Sequence, residues 1–459
     1  MTQGYCTRYS THGPLIAVAR WMMRQAIWDT VVRDMRIPQK TVVYDPHAKL
    51  LGVLMTILAG AGGLVESNTR IRPDQPLQRA IGLYPFPDQS TLSETVNACT
   101  AENVWAARQG IAKVYRQYGQ GAKDVTREDW LVLDVDLTGM PCGRQCEEAT
   151  KGYFSGSRGR RGRQLGRVVA SNYDEIVVQE VYEGKKLLTQ AFCPLVEAME
   201  GVMGLDQAPD RRRHTLLRCD AGAGIEREIN WALERGYALV TKLKHHGRTQ
   251  KLLRTVTEWY PDPKVPTRYV GWVQAPHAFA RPTLQVAVRS VRTVAGKARR
   301  TERILVAALT PQEVVSMTGG TVRHSLDPQQ VALAVAYLYD QRGGGAETQN
   351  RNDKQGLGLT KRNKKSFTAQ QMLVLLAELA HNLLIWARSW WCQITARWRS
   401  WGLLRIVRDI FHIPALVTLN AQGLPVRLSL SRMHPLSGPL IQPLQHLAQG
   451  ELVVNLGEI

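Results

Sequence analysis

Acidic residues are scarce in this chain: 39 Asp and Glu stand against 59 Lys and Arg in 459 residues, a formal net charge of +20 at pH 7. Such a surface favours a polyanionic partner, bound with an affinity that falls steeply as salt rises. Ribosomes and anionic membranes share that chemistry, so the charge gives a class and no more. Cysteine is sparse as well. Seven residues, an odd number spread from Cys6 to Cys392, argue against a disulfide framework and for a reducing compartment. Cys142 and Cys146 lack a second Cys or His pair at zinc spacing and read as two free thiols. Long hydrophobic runs are missing too. The longest, Leu50 to Val65, has 16 residues with four glycines, against about 20 for a bilayer span, and reads as a buried helix. Met372 to Cys392 contains Glu378, His381, Asn382 and Arg388, which are costly in lipid. Residues 1 to 40 are interrupted by Arg20, Arg24 and Arg33 and carry no small-residue cleavage site behind an apolar core. The expectation is a cytoplasmic protein without a membrane partner.

At this length two to four units are expected. Residues 1–125 read as helical, with segments at Leu15 to Met35 and Ala48 to Val65. A third opens at Thr91-Leu92-Ser93-Glu94, a capping-box pattern behind the turn Pro85-Phe86-Pro87-Asp88. From Trp130 the pattern changes to strands rich in Val, Leu and Ile: Trp130 to Thr138, Gly166 to Ser171 and Asp174 to Gly184. Thr215 to Asp220 and Tyr237 to Leu243 flank a helix near Ile225 to Arg235. Residues 244–327 look like a β-rich insertion, with strands at Tyr269 to Val273, Thr283 to Val294 and Arg303 to Leu309. Residues 328–400 follow, ending in a long helix from about Thr368 to Trp398, and 401–459 form an extension with β character between Val417 and Leu430. In the long helix Leu373, Leu376, Leu379, Leu383 and Trp386 recur at core spacing, and His381 reads as a satisfied helix histidine.

Three places combine charge with an unlikely setting. Trp130 to Thr138 is an apolar run carrying Asp134 and Asp136, which project from the same strand face. A charged pair there is costly unless a partner is present, and for Asp134 a nearby Arg would suffice. Asp220 ends the strand Thr215 to Cys219 and precedes Ala221-Gly222-Ala223-Gly224. That is where open α/β sheets place ligands, and also where an Asp serves as a turn residue or helix cap. Finally, Tyr339-Asp340-Gln341-Arg342-Gly343-Gly344-Gly345-Ala346-Glu347 leads into a segment in which Arg351 and Lys354 follow Glu347 by four and seven positions. In a helix all three share a face. A solvated helix with internal ion pairs would account for the same spacing.

Together Asp136, Asp220 and Glu347 resemble the acidic triad of bacterial insertion-sequence transposases of the DDE superfamily. The first Asp has Thr two residues on, as in Asp136-Leu137-Thr138, and the second precedes a glycine-rich turn. The third belongs to a Tyr, Arg, Glu, Lys signature reproduced by Tyr339, Arg342, Glu347 and Lys354, except that four residues instead of three part Arg from Glu. The continuation Lys354-Gln355-Gly356-Leu357-Gly358-Leu359 and the later Ala380-His381-Asn382-Leu383-Leu384 belong to the same likeness, which covers roughly residues 45–440.

The resemblance implies an α/β fold: a ribonuclease-H-like mixed sheet flanked by helices, split into 126–243 and 328–400 by a β-rich insertion, with an N-terminal helical domain that binds DNA ends. Asp136, Asp220 and Glu347 would be catalytic and would hold two divalent metal ions, Mg2+ or alternatively Mn2+, with Asp134 the alternative first ligand. Partners would be double-stranded DNA, as terminal inverted repeats and as target, and a second copy of the chain in a DNA-bound homodimer. Tyr339, Arg342, Arg351 and Lys354 would contact DNA near the cut. The loop Ser155 to Gln164 would add Arg158, Arg160, Arg161 and Arg163, and Lys242 and Lys244 would lead into the insertion. Trp259 and Trp272 are stacking candidates for an unpaired base, though core packing is the better explanation for either. The three glycines before Glu347 either misplace it, which would leave a DNA-binding protein that no longer cuts, or end one helix so that Glu347 begins another.

Overall fold

The structure, a computed structural model, describes residues 5–41, 43–124, 130–152, 154, 159–294, 297–322 and 325–458. The backbone divides into two compact units, one made of residues 1–119, 140–163 and 350–459, the other of 120–139 and 164–349.

The second unit contains all three candidate acids. Its strands are β1 (Leu131–Pro141), β2 (Arg161–Ala170), β3 (Glu175–Glu183), β4 (Thr215–Cys219), β5 (Ala238–Lys242), β6 (Tyr260–Pro261), β7 (Arg268–Trp272), β8 (Leu284–Val294) and β9 (Lys297–Ala307), the outer ends of β1 and β2 belonging to the first unit. They lie in the order β3-β2-β1-β4-β5-β9-β8-β7-β6. β1, β4 and β5 are parallel, with Leu131 opposite Thr215, Val135 opposite Cys219 and Leu216 opposite Ala238. β1 and β2 run antiparallel: the Ser171 amide donates to the Val132 carbonyl (2.9 Å), while Cys142 pairs with Arg161 at the far end. Five strands in the order 3-2-1-4-5, antiparallel on one side and parallel on the other, make a ribonuclease-H-like core.

The insertion does not stand apart from that sheet. β9 pairs antiparallel with β5, Lys242 opposite Leu305, so the β-rich segment extends the core sheet instead of forming a separate layer. Helices α1 (Leu188–Met203), α2 (Glu226–Glu234), α3 (His246–Leu253), α4 (Pro311–Met317) and α5 (Pro328–Asp340) flank the strands. On α5, Val331, Val335 and Leu338 recur at helical spacing and are buried with Leu216, Val240, Val286 and Leu305 of the sheet. Each such side chain contributes about 1.5–3 kcal/mol of burial. Helix α1 has no counterpart in the sequence reading above, because Pro194 lies inside it and proline ordinarily breaks a helix.

The first unit packs helices Gly13–Arg24, Pro46–Leu58, Gln89–Ala98 and Ala101–Tyr118 with the long helix Phe367–Ile394. Its small sheet has the order Cys6–Ser10, Ala415–Leu419, Pro425–Ser431, Val453–Gly457. Two expectations need correction. The helix expected from Leu15 to Met35 is broken at Ala26, whose φ is +49°. The expected capping box at Thr91 is replaced by an earlier cap: the Asp88 carboxylate accepts from the Thr91 amide, the helix begins at Gln89, and that hydrogen bond lowers the Asp88 pKa. Phe367–Ile394 is, among the described residues, the helix long and apolar enough to cross a bilayer, and most of it is buried inside the unit. His381 is fully buried there with its Nδ1 2.7 Å from Asp353 Oδ1, a satisfied core histidine.

Candidate active site

The two carboxylates of β1 have opposite environments. Asp134 is 0 % exposed, and its oxygens are taken up by Arg218 on β4 (Nε to Oδ1 2.7 Å, Nη2 to Oδ2 3.1 Å), by the Ser171 hydroxyl (2.6 Å) and by the Ala346 amide (3.2 Å). Register explains the pair, since Asp134 lies directly opposite Arg218 in the parallel ladder. The alternative first metal ligand is therefore a dry, closed ion pair.

Asp136 has a side chain 14 % exposed. Arg342 approaches it with Nη1 at 3.5 Å and donates through Nη2 to Glu347 Oε1 at 2.5 Å. Burial raises the Asp136 pKa to about 6; Arg342 opposes that rise, while the charges of Asp220 and Glu347 add to it. The three acids thus share one electrostatic field, and they hold the Arg342 guanidinium well above its ordinary pKa against its own burial. Its buried Nη1 has no hydrogen-bond partner among the described residues. Asp220 caps the short turn Ala221–Ala223, its Oδ1 accepting from the Gly222 amide at 2.5 Å, so the cap and the site position coincide.

Glu347 is placed by a change of helix. α5 ends at Asp340, a single tight turn covers Gln341–Gly343, and α6 (Ala346–Gly356) starts with Glu347 in its first turn. The glycines break one helix and free the next. Gly345 is required sterically, because a Cβ there would overlap Asp134 Oδ2 and Ser171 Oγ. Glu347 is 55 % exposed at its side chain. Arg351, exposed, and Lys354, half-buried, follow on α6 at positions assigned to the first unit.

The remaining candidates divide. Tyr339 is only 8 % exposed; the guanidinium groups of Arg342 (6.0 Å) and Arg303 (5.8 Å) both approach its ring, a support for both cations more than a surface contact. Lys242 is half-buried, its pKa lowered by burial and by Arg303 against a smaller pull from Asp220, and Lys244 is exposed. Arg158 lies outside the described residues. Arg160 is exposed and Arg161 donates to the Ala149 carbonyl (3.1 Å). Arg163 departs from the expectation of a phosphate donor: it is 1 % exposed and donates to the carbonyls of Glu147 (2.7 Å), Lys364 (3.0 Å) and Lys365 (2.9 Å), which makes it an internal clamp. Trp259 is covered by the Arg289 guanidinium at 3.7 Å, and Trp272 donates its indole N–H to the Pro328 carbonyl (3.0 Å).

Sequence reasoning overlooked Arg218 and the arginines of β8 and β9. For Arg218 a signal was present: it is the lone charge within Thr215–Cys219, the mirror of Asp134 in its own apolar strand.

The donor set of Asp136, Asp220 and Glu347 consists of carboxylate oxygens alone, the chemistry that hard divalent cations take. Among the described residues, however, no group of three or more acidic, His or Cys side chains converges tightly enough to hold an ion. The reason is visible in the geometry, since the Arg342 guanidinium lies between Asp136 and Glu347 where a cation would balance them.

One solved structure similar to the chain is a cryo-EM structure of piggyBac transposase in a synaptic complex with hairpin DNA, at 10 % sequence identity and a TM-score of 0.44, covering 87 % of this chain and 81 % of that one. No curated protein sequence matches it. The family model for the transposase DDE domain, group 1, matches residues 184–451, more than half of the chain, and takes in Asp220 and Glu347. The protein therefore belongs to the DDE-domain group 1 transposases and is a DDE transposase enzyme.

Proposed function

We propose that this transposase binds the ends of an insertion sequence and cuts and joins DNA by metal-dependent phosphoryl transfer, with Asp136, Asp220 and Glu347 as the metal-holding carboxylates. Divalent ions, Mg2+ with Mn2+ as substitute, supply Lewis-acid stabilisation of the attacking and leaving oxygens when bound. Water attacks the phosphodiester at the element end and the bond between phosphorus and the 3′ oxygen breaks; the freed 3′-hydroxyl then attacks a target phosphodiester, joining its phosphorus as the target's own bond to the 3′ oxygen breaks and leaves a target 3′-hydroxyl. Arg342 leaves the carboxylates for the scissile phosphate, with Tyr339 bracing it, and Lys354 and Arg351 meet phosphates farther along the exposed face of α6. The reading matches the Tyr, Arg, Glu, Lys signature of bacterial elements. It also implies a homodimer on DNA, since two ends must be held together, and a cytoplasmic site of action.

The observation that carries this reading is the shared field at Asp136, whose pKa responds to Asp220 and Glu347, with Arg342 set between the acids. Its test is nicking of a duplex carrying the element end, in Mg2+, by wild type and by Asp136→Asn, Asp220→Asn and Glu347→Gln. The variants are expected to bind the duplex and leave it intact. Full nicking by any of them removes that residue from the site.

The Arg342 bridge also favours a second reading, a DNA-binding descendant in which a permanent guanidinium has displaced the metals. Wild-type protein that binds end duplexes and never nicks them at any Mg2+ concentration would select it.

A further inference from the structure

A cavity of about 860 Å³ opens beside Ala221, the neighbour of Asp220, and runs along the inserted strands. The pleat explains its lining. Lys242 on β5 is opposite Leu305 on β9, so Lys242, Arg303, Thr301 and Arg299 project from one face, and β8 adds Ser290 opposite Thr301 and Arg292 opposite Arg299. α3 forms a wall with His246, Thr249 and Gln250. The alternate residues Arg300 and Glu302 also line the cavity; Glu302, the one carboxylate in the lining among the described residues, pairs with Arg300 and with Arg289 (2.9 Å), and so neutralises Arg300 but, among the described residues, forms no ion pair with Lys242, Arg303, Arg299 or Arg292.

Two features indicate what the groove takes. Arg292 and Arg299 are directly opposed across the hairpin, an arrangement of like charges that destabilises a sheet unless an anion lies between them. Among the described residues no Trp, Tyr or Phe lines the cavity, which leaves no platform there on which bases could stack. Its volume is that of a small-molecule site, too small for a duplex and large enough for the backbone of a few nucleotides. The groove lies near the candidate active site: Ala221, next to Asp220, lines it, and the Tyr339 ring has the guanidinium groups of both Arg303 in the groove (5.8 Å) and Arg342 (6.0 Å) close to it.

We propose that this groove is a sequence-independent subsite for a single DNA strand, gripping the phosphates next to the scissile one through Lys242, Arg303, Arg299 and Arg292 without reading bases. It rests on the reading of Asp136, Asp220 and Glu347 as the cutting centre for its direction, and on the insertion alone for its chemistry. The strand leaves the acids past Tyr339, crosses Arg303, and passes between Arg292 and Arg299, whose repulsion it relieves.

The test uses the full chain in EDTA, so that cleavage plays no part, with a short fluorescent oligothymidylate and an abasic strand of equal length as probes. Both strands are expected to bind within about threefold of each other, as phosphate contact without base readout requires. Arg292→Gln with Arg299→Gln is expected to weaken both by about tenfold or more and to reduce the slope of log K against log salt by about 1.4, two single-strand phosphate contacts. Lysine at both positions restores binding. A charge-matched control, Arg427→Gln on a strand of the small sheet with Arg432→Gln in the turn that follows it, both exposed, is expected to lose less than about twofold. Binding of the thymidylate but not the abasic strand, or a groove variant no weaker than the control, overturns the proposal. Nicking retained by Asp136→Asn would sink the catalytic assignment and leave this strand-binding result standing.

Discussion

Asp134 and Asp136 are two residues apart on one strand, and the contrast between them separates structural from chemical acid in this fold. Asp134 is fully buried and saturated by Arg218, Ser171 and the Ala346 amide. Asp136 is partly open, shares a single guanidinium with Glu347, and has its pKa raised to about 6 by burial with two further acids adding to the rise. The first has as many partners as a carboxylate can use. The second lies in the field of two further carboxylates, a setting in which a divalent cation would be favoured.

Substitution at each position should therefore fail in a different way. The largest effect is expected for Asp136→Asn: DNA nicking in Mg2+ falls about ten-thousand-fold, from loss of a metal-holding oxygen, while the melting temperature does not fall. A variant that unfolds would erase the contrast. Asp134→Ala should do the reverse. Leaving Arg218 buried and unpaired costs about 3–5 kcal/mol, read as a drop in the urea midpoint, with activity lost only in proportion to unfolding. Gly345→Ala sharpens the same boundary, since a Cβ would displace Asp134 or the start of α6; about 1–3 kcal/mol of destabilisation is expected, together with slower nicking because Glu347 moves with that helix.

Arg342→Gln probes the open side. With the competing cation removed, Mn2+ binding to the DNA-free protein should tighten by about tenfold in calorimetry, although nicking slows because the phosphate loses its partner. Unchanged metal affinity would show that Arg342 does not hold the carboxylates against metal.

The smallest effect is on stability with pH. The folded Asp136 pKa of about 6 lies above its ordinary value of 3.8, so the native state binds the extra proton and its stabilising contribution is complete below about pH 4. That contribution is lost as pH rises through 6. The melting temperature of Asp136→Asn minus that of wild type should increase across this window, and a flat difference would contradict the burial of Asp136.

Much of the core sheet around the candidate site was legible because it is written in local pattern. Apolar runs at Thr215–Cys219 and Ala238–Lys242 flanking a helix announce parallel strands, and a charge inside an apolar strand announces a partner or a site. The failures are equally physical. Arg163 reads as one of several loop arginines, and only the carbonyls of Glu147, Lys364 and Lys365, one nearby and two distant in sequence, turn it inward. Pro194 hides α1 because local propensity opposes a helix that packing against β3 sustains. Thr91 matches a capping motif, but Asp88, three residues earlier, takes the Thr91 amide first.

By itself the sequence determined the strand and helix periods and the basic charge, and it marked Asp136, Asp220 and Glu347 as candidates, because each of these readings depends on residues within a few positions of the one read. The tertiary structure alone decided which carboxylate of β1 is closed by Arg218 and which faces Arg342, and that β9 joins β5 and lines a groove with arginines. Those outcomes depend on strand order and register, which bring together side chains that no local spacing relates.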